Sequence, residues 1–487
     1  MSGVRTISVE PVTRLEGHAK IVIFQDERGE VKNAYLQLPE LRGFEKFCEG
    51  RKAENLPQLT SRVCGVCPVA HHFASTKAVD AAFHVDPPPT AKKLRELMYC
   101  GYMMYDHILH FYFLAAPDFV VGPDAPPQER NILGVIKKVG LDIGKEVIKH
   151  RAYGQKITEI IGGKATHPVC GLPGGISKPL TEEERKEIQK MAESSVEFAK
   201  FTLKLFEDIV LKNEKYVEMI LSDAYTLKTN YMGLVDQNNK VNFYDGKVRV
   251  VDPKGQEFVK FAPSEYLDVI EEHVEEWTYV KLPYLKKIGW KGLADGPSSG
   301  IYRVGPLARL NAADGMATPL AQKEYERMYE TLGGKPVHST LAFHWARIIE
   351  ILYAAERCLE LSQDKEITSK EIRNKPSTPG EGVGIVEAAR GTLIHHYKLN
   401  GEGMTEQVNL IVPTTSNNPS ISMSIRDAAR KFVHGEEVSE GLLNRVEMAL
   451  RAYDPCIACA SHQHIGEIPF EIKIYDNSRS LIKIIRR

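Results

Sequence analysis

Two short segments carry the residues with the most chemistry. Arg62-Val63-Cys64-Gly65-Val66-Cys67-Pro68-Val69-Ala70-His71 sets two thiols three positions apart beside a cationic side chain, with a histidine four residues past the second thiol. A neighbouring positive charge depresses thiol pKa values, and a two-residue gap lets both sulfurs reach one metal. Gly65 permits the tight turn between them. The second segment, Asp454-Pro455-Cys456-Ile457-Ala458-Cys459-Ala460-Ser461-His462, begins its pair 389 positions beyond Cys67, so only tertiary folding can unite the two into a four-thiolate site. Structural zinc also takes four cysteines, but zinc ribbons gather their ligands within a few dozen residues to staple a small domain. A dithiol redox pair is disfavoured because neither Cys-x-x-Cys follows a strand in a clear βαβ unit. Thiolates suit nickel and iron equally, so composition leaves the metal open. Cys48, Cys100, Cys170 and Cys358 are scattered and read as small buried hydrophobes.

The two cysteine segments resemble the signature motifs of nickel-iron hydrogenase large subunits, and Glu10-Pro11-Val12-Thr13-Arg14-Leu15-Glu16-Gly17-His18 resembles that family's N-terminal motif. Further matches lie between them at Arg42-Gly43-Phe44-Glu45, His110-Phe111-Tyr112 through Pro117-Asp118, His167-Pro168 before Gly174-Gly175, Arg390-Gly391 and Val412-Pro413-Thr414-Thr415. The resemblance implies that all four cysteines bind nickel, with Cys64 and Cys456 terminal and Cys67 and Cys459 shared with an iron that carries cyanide and carbon monoxide. It implies heterolytic splitting of dihydrogen, with Cys456 accepting the proton and Glu16 relaying it outward. A metal-bound thiolate is basic enough for the first step, and a buried carboxyl has the raised pKa suited to the second. Arg390 is expected over the open metal positions as a fixed cation, held by Asp118. Pro413 and Thr414 are expected to wall the iron diatomics, His71 to hydrogen-bond to the cluster, and Glu45 and His462 to bind a magnesium or iron ion near the buried C-terminal end. Read without the resemblance, Glu16 is a strand-end salt-bridge residue, and Arg390-Gly391 and Pro413-Thr414 are loop punctuation.

In that family a protease trims the chain just after the distal histidine. Gln463 to Arg487 therefore reads as a cleavable extension, and otherwise as an edge strand. The scattered cysteines cannot build an iron-sulfur relay, which needs clustered thiolates. The resemblance supplies one through an iron-sulfur small subunit, with flavin or iron-sulfur electron-transfer subunits beyond it. Phe111 to Asp118 and Asn417-Asn418-Pro419 look more like the soluble, cofactor-coupled branch, with NAD(P), ferredoxin or a disulfide as acceptor. Gly382 to Gly384 form no dinucleotide fingerprint. Two rivals are the quinone-site subunit of respiratory complex I, which lacks the cysteine pairs, and a non-catalytic zinc-stapled protein or dihydrogen sensor.

Positioning such a site takes a large body. Of 487 residues 43% are hydrophobic and 26% charged, as in soluble globular proteins. Lys plus Arg (63) balances Asp plus Glu (64), so no global field favours nucleic acid or anionic lipid. The N-terminus carries no basic-then-apolar leader and no 18-residue apolar run occurs, which reads as cytoplasmic with no membrane anchor. The expected fold class is α+β, predominantly helical: a helix bundle flanked by antiparallel β elements, forming one catalytic body over 1–462. Residues 5–40 alternate as strands. Helical patterns run from Pro89 to Leu114 and from about Glu129 to Ile161, ending at Gly162-Gly163. Thr181 and Glu184 make a capping box ahead of a stripe at Ile188, Met191, Ser195, Phe198, Thr202, Leu205 and Ile209. A small, peripheral β insertion is expected at 235–262. Helices are expected at Thr340–Leu361 and Val438–Tyr453, with mixed structure around Gly382 to Pro413 between them.

Overall fold

A computed structural model describes residues 5–435, 438–463, 471–476, 478 and 480–486. The chain opens on a three-stranded antiparallel meander, Arg5–Val9, Lys20–Gln25 and Val31–Gln37. Its alternation buries Ile21, Ile23, Ala34 and Leu36 on one face. That face lies against the helix Pro413–Phe432, where the Leu36 amide donates to Ser422 Oγ at 3.2 Å. Residues 10–19 between the first two strands dip toward the interior and carry Glu16 with them.

The helical body is built from Pro89–Leu109, Leu141–Gly162, Glu182–Phe206 and Phe343–Gln363, packed side by side. The capping box forms as expected: Thr181 Oγ1 accepts from the Glu184 amide at 3.2 Å and Glu184 Oε2 from the Thr181 amide at 2.9 Å. The stripe behind it is buried through Thr202 and packs as core. The pattern between Glu129 and Ile161 is not one helix but two, Ile132–Val139 and Leu141–Gly162, because Gly140 takes φ 96° and breaks the ladder. After Leu109 the helix widens into five-residue-repeat turns at His110–Ala115 and Pro117–Val121. Such turns change the angular phase of everything beyond them.

Two sheets flank the bundle. Asn230–Val235, Lys247–Val251 and Glu257–Phe261 form an antiparallel set, extended by Tyr302–Arg303 pairing parallel to the first strand. Within the expected insertion Glu257–Phe261 is mostly half-buried and Lys247–Val251 is buried past Lys247, whereas Asn230–Val235 ahead of it is buried throughout, the Leu234 amide donating to Glu387 Oε1 at 2.9 Å. The second sheet is Glu381–Ala388, Gly391–Leu399 and Thr405–Ile411. Ala388 pairs with Gly391, so Ala389 and Arg390 are the tip of a two-residue hairpin. Gly391 takes φ 136°, and a Cβ there would meet Val304 Cγ2 at 2.3 Å.

The helix Glu440–Arg451, capped by Ser439, delivers the chain to the second cysteine pair. Beyond it, Glu471–Tyr475 and Leu481–Arg486 form a hairpin that, among the described residues, pairs only with itself. No helix among the described residues is long and apolar enough to cross a membrane.

Candidate active site

Both cysteine pairs turn backbone amides onto their first sulfur, at different places relative to a helix. Cys67 immediately precedes the helix Pro68–Ala82, and Cys456 precedes the short helix Ile457–Ala460. In each pair the first sulfur accepts backbone amides: Cys64 Sγ from Val66 and Cys67 at 3.2 and 3.3 Å, Cys456 Sγ from Cys459 at 3.3 Å. Such donors favour the thiolate. Folding brings the pairs together at the centre of the molecule. Cys64 and Cys456 sulfurs lie 3.3 Å apart, Cys67 and Cys459 3.2 Å, and Cys456 and Cys459 2.7 Å. All four are buried and within 4.8 Å of one another.

Charge explains why this cluster needs cations. Burial pushes the Cys64 thiol up, but hydrogen bonds from the other three cysteines and the Arg390 charge outweigh it and hold it well below the usual range. Cys67 is drawn down by Cys456 and Cys459, yet its contact with Cys64 and its burial leave it at about 11. Burial drives Cys456 and Cys459 far up. One thiolate is tolerated and the next is not, unless metal charge compensates. The donor set therefore fits soft cations with sulfur ligands about 2.3 Å away.

Glu16 reaches this cluster from the N-terminal loop. Its Oε2 is 3.0 Å from Cys456 Sγ and accepts the Ala458 amide at 3.0 Å, while its backbone oxygen accepts the Ile457 amide at 3.0 Å. Burial, then the Cys64 charge, raises its carboxyl above the ordinary value. Gly17 and His18, the next two residues, are exposed.

Arg390 stands over the other side, but Asp118 does not hold it. Asp106 Oδ2 and Asp454 Oδ1 do, at 3.0 and 3.1 Å. Burial raises both carboxyls, Asp454 to about 7, and their charges raise Arg390 despite its own burial. Asp118 instead binds Arg14 Nη2 at 2.5 Å and Arg451 Nη1 at 2.6 Å. Asp118 lies more than three helical turns beyond Asp106, past the widened turns, and faces the N-terminal loop rather than Arg390.

His71 Nε2 lies 3.4 Å from Cys459 Sγ, and its Nδ1 is 3.1 Å from His395 Nε2. Burial lowers its imidazole to about 4. Thr414 Oγ1 accepts the Cys456 amide at 3.0 Å, leaving its own proton free for a further acceptor, and Pro413 starts the helix that presents it. Glu45 and His462 meet at the end of the same sheet. His462 Nε2 is 2.7 Å from the Leu410 carbonyl and 3.7 Å from Glu45 Oε1, and its Nδ1 is 2.7 Å from the Cys459 carbonyl. A carboxylate, a carbonyl and an imidazole nitrogen at these separations suit one hard cation. Lys281 Nζ, 3.6 Å from Glu45 Oε2, adds positive charge at the same place.

Four residues here had no role assigned from the sequence, although Arg42 and Asp454 stand within its motifs. Arg42 ties the two motifs together, donating to the Val63 and Ala458 carbonyls and to Ser461 Oγ at 2.8 Å. His395 backs His71, and Asp106 and Asp454 cradle Arg390. A carboxylate in the apolar run Met103-Met104-Tyr105-Asp106 is the one signal that marked Asp106, because a buried charge needs a partner.

Comparison with known proteins agrees with this geometry. The family model for nickel-dependent hydrogenases matches residues 42–126 and 145–462, and a HoxL-like model matches 6–41. The chain is 50% identical to an iron-sulfur subunit of the F420-non-reducing hydrogenase of Archaeoglobus profundus, over 99% of both chains. It is 36% identical to the beta subunit of the NAD-reducing hydrogenase HoxS of Cupriavidus necator, over 98% of this chain and 99% of the relative. The crystal structure of an NAD+-reducing [NiFe]-hydrogenase in the H2-reduced state superposes with a TM-score of 0.89 at 37% identity, covering 94% of this chain and 99% of that one. With its cysteines converging from both ends of the sequence, the chain belongs to the nickel-dependent hydrogenase family, as the catalytic large subunit of a nickel-iron enzyme acting on dihydrogen.

Proposed function

We propose that Cys64, Cys67, Cys456 and Cys459 would hold nickel, and that Cys67 and Cys459 would also hold an iron bearing cyanide and carbon monoxide. The observation that carries this reading is the meeting of four buried sulfurs with an arginine on one side and a carboxyl on another. When bound, the metals supply the Lewis acidity that polarises dihydrogen for heterolytic cleavage. Arg390, fixed by two carboxylates, presents a preorganised cation to the space above the sulfurs and costs no reorganisation during turnover. Cys456 Sγ takes the proton and hands it across 3.0 Å to Glu16 Oε2. Exposed Gly17 and His18 give Glu16 a short way to solvent. Thr414 holds the Cys456 backbone, and with Pro413 walls the iron side. His71 supports the Cys459 sulfur, and Glu45, the Leu410 carbonyl and His462 would hold a magnesium-like ion that braces the C-terminal end.

Electrons leave on the opposite side. Arg62 and Gly65 are exposed beside buried Cys64, a suitable face for an iron-sulfur small subunit. Relatives named for F420-non-reducing and NAD-reducing activities support a cytoplasmic complex whose further flavin or iron-sulfur subunits reduce NAD(P), ferredoxin or a disulfide. The match of the family model ends at His462, which supports removal of residues 463–487 by a maturation protease. The test is metal analysis of the purified chain with its partners, together with infrared spectroscopy. Nickel, with iron beyond what the partners' clusters hold and with cyanide and carbon monoxide bands, is expected; zinc in place of nickel without such bands would leave only a stapled binding protein.

A further inference from the structure

We infer that Arg14, clamped by Asp118, is the positioning residue that sets Glu16 against Cys456. The inference rests on the reading of Glu16 as the proton carrier and goes beyond it by saying what fixes that carboxyl in place. Arg14 lies two residues ahead of Glu16 and takes φ 57°, a region that side-chain-bearing residues rarely occupy. Its guanidinium turns inward, with Nη2 2.5 Å from Asp118 Oδ1 and 2.9 Å from Asn444 Oδ1, and Nη1 2.9 Å from the Leu114 carbonyl. The second Asp118 oxygen takes Arg451 Nη1 at 2.6 Å, and Arg451 Nη2 binds Glu447 Oε2 at 2.7 Å. Glu447 closes the circuit by accepting the Thr13 amide at 3.3 Å and its hydroxyl at 3.0 Å. Two arginines and two carboxylates cancel, so the clamp brings no net charge to the cluster; what it fixes is geometry.

Glu16 lies between this clamp and a second fixed point. Gly17 takes φ 84° and lies so close to the distal loop that a Cβ would meet Ile457 Cβ at 2.9 Å and the Ala458 nitrogen at 3.1 Å. With the backbone held at both flanks, the Glu16 carboxyl lies 3.0 Å from both Cys456 Sγ and the Ala458 amide. Proton transfer needs hydrogen-bond reach, and a displacement of an ångström costs on the order of 10²-fold in rate.

The test compares R14Q, R14K, E16Q and the double variant R14Q/E16Q in the metal-loaded complex, reading metal content and dihydrogen-dependent dye reduction. Amide exchange of Ile457 and Ala458 is followed in parallel in the metal-free chain. R14Q should keep its nickel and iron and lose turnover by about 10²-fold, R14K should recover most of it, and R14Q/E16Q should be no slower than E16Q. The two amides should exchange faster in R14Q than in the parent. An equal loss from R14Q in the E16Q background, or unchanged exchange, overturns the positioning role. Full turnover in E16Q rejects the proton-carrier reading instead, and the exchange arm still decides whether Arg14 sets the segment. Should R14Q fail to accumulate, D118N is read in the same way.

Discussion

Around the first cysteine pair Arg62 and Gly65 are exposed, whereas around the second Asp454, Pro455, Ile457, Ala460, Ser461 and His462 are all buried. Yet both loops turn backbone amides onto their first sulfur, although the first ends before its helix and the second carries Cys459 within one. The amide cradle is thus shared and its surroundings differ. The helix after the first loop is anchored by His72, whose Nε2 accepts the Gly171 amide at 2.9 Å and whose Nδ1 lies 3.0 Å from the Pro57 carbonyl, while its His71 reaches across to Cys459 Sγ. The second loop is held by Glu16 and Thr414, and Arg42 binds both. One ligand set therefore has a face near solvent on one side and a guarded carboxyl contact on the other, which in our reading separates electrons from protons.

The comparison breaks most completely at the sulfurs. C64A and C456A should each abolish dihydrogen uptake and nickel retention, read by metal analysis, because either loop alone leaves an incomplete donor set. An active C456A protein would end the four-thiolate account. Next in size, E16Q should retain both metals and slow dihydrogen-dependent dye reduction by about 10²–10⁴-fold, the range for loss of a positioned proton carrier.

Acid should separate the two loops. Burial lowers the His72 imidazole to about 4 from an ordinary 6.5, so the fold holds it neutral. Its contribution is complete above the unfolded value and is lost as pH falls from about 6.5 toward 4, amounting to roughly 3 kcal/mol. Unfolding free energies of the parent and H72Q measured across that interval should converge toward the acid end; parallel curves would contradict the assignment. The smallest effect is expected from T414V, which leaves the buried Cys456 amide without its acceptor at a cost of about 1–3 kcal/mol. A melting temperature equal to the parent's would show that Thr414 does not hold that backbone.

Much of this was legible because it is local or because it repeats a motif. The cysteine spacing, the Thr181 capping box, the N-terminal alternation and the helices ending at Gly162 and starting near Phe343 follow from near neighbours in sequence. What could not be read is long-range pairing. Arg390 arrives on a hairpin tip 284 positions beyond Asp106, so nothing near either aspartate announced that Asp106 rather than Asp118 would face it. The parallel strand Tyr302–Arg303 is two residues long, too short to carry a period, and its pairing with Asn230 and Tyr231 could not be read. Gly140, inside the stretch expected to be one helix, divides it by its positive φ.

The distance along the chain between the two sulfur pairs has a consequence in time. At a synthesis rate of about 5–20 residues per second, Cys456 leaves the peptidyl-transferase centre roughly 20–80 s after Cys67. For that interval a nascent polypeptide offers half a binding pocket to whatever soft ion diffuses past. Nickel delivery is therefore a post-translational event for this architecture, and selectivity against copper and zinc must be exercised by whatever shields Cys64 and Cys67 until the distal end of the chain has folded in.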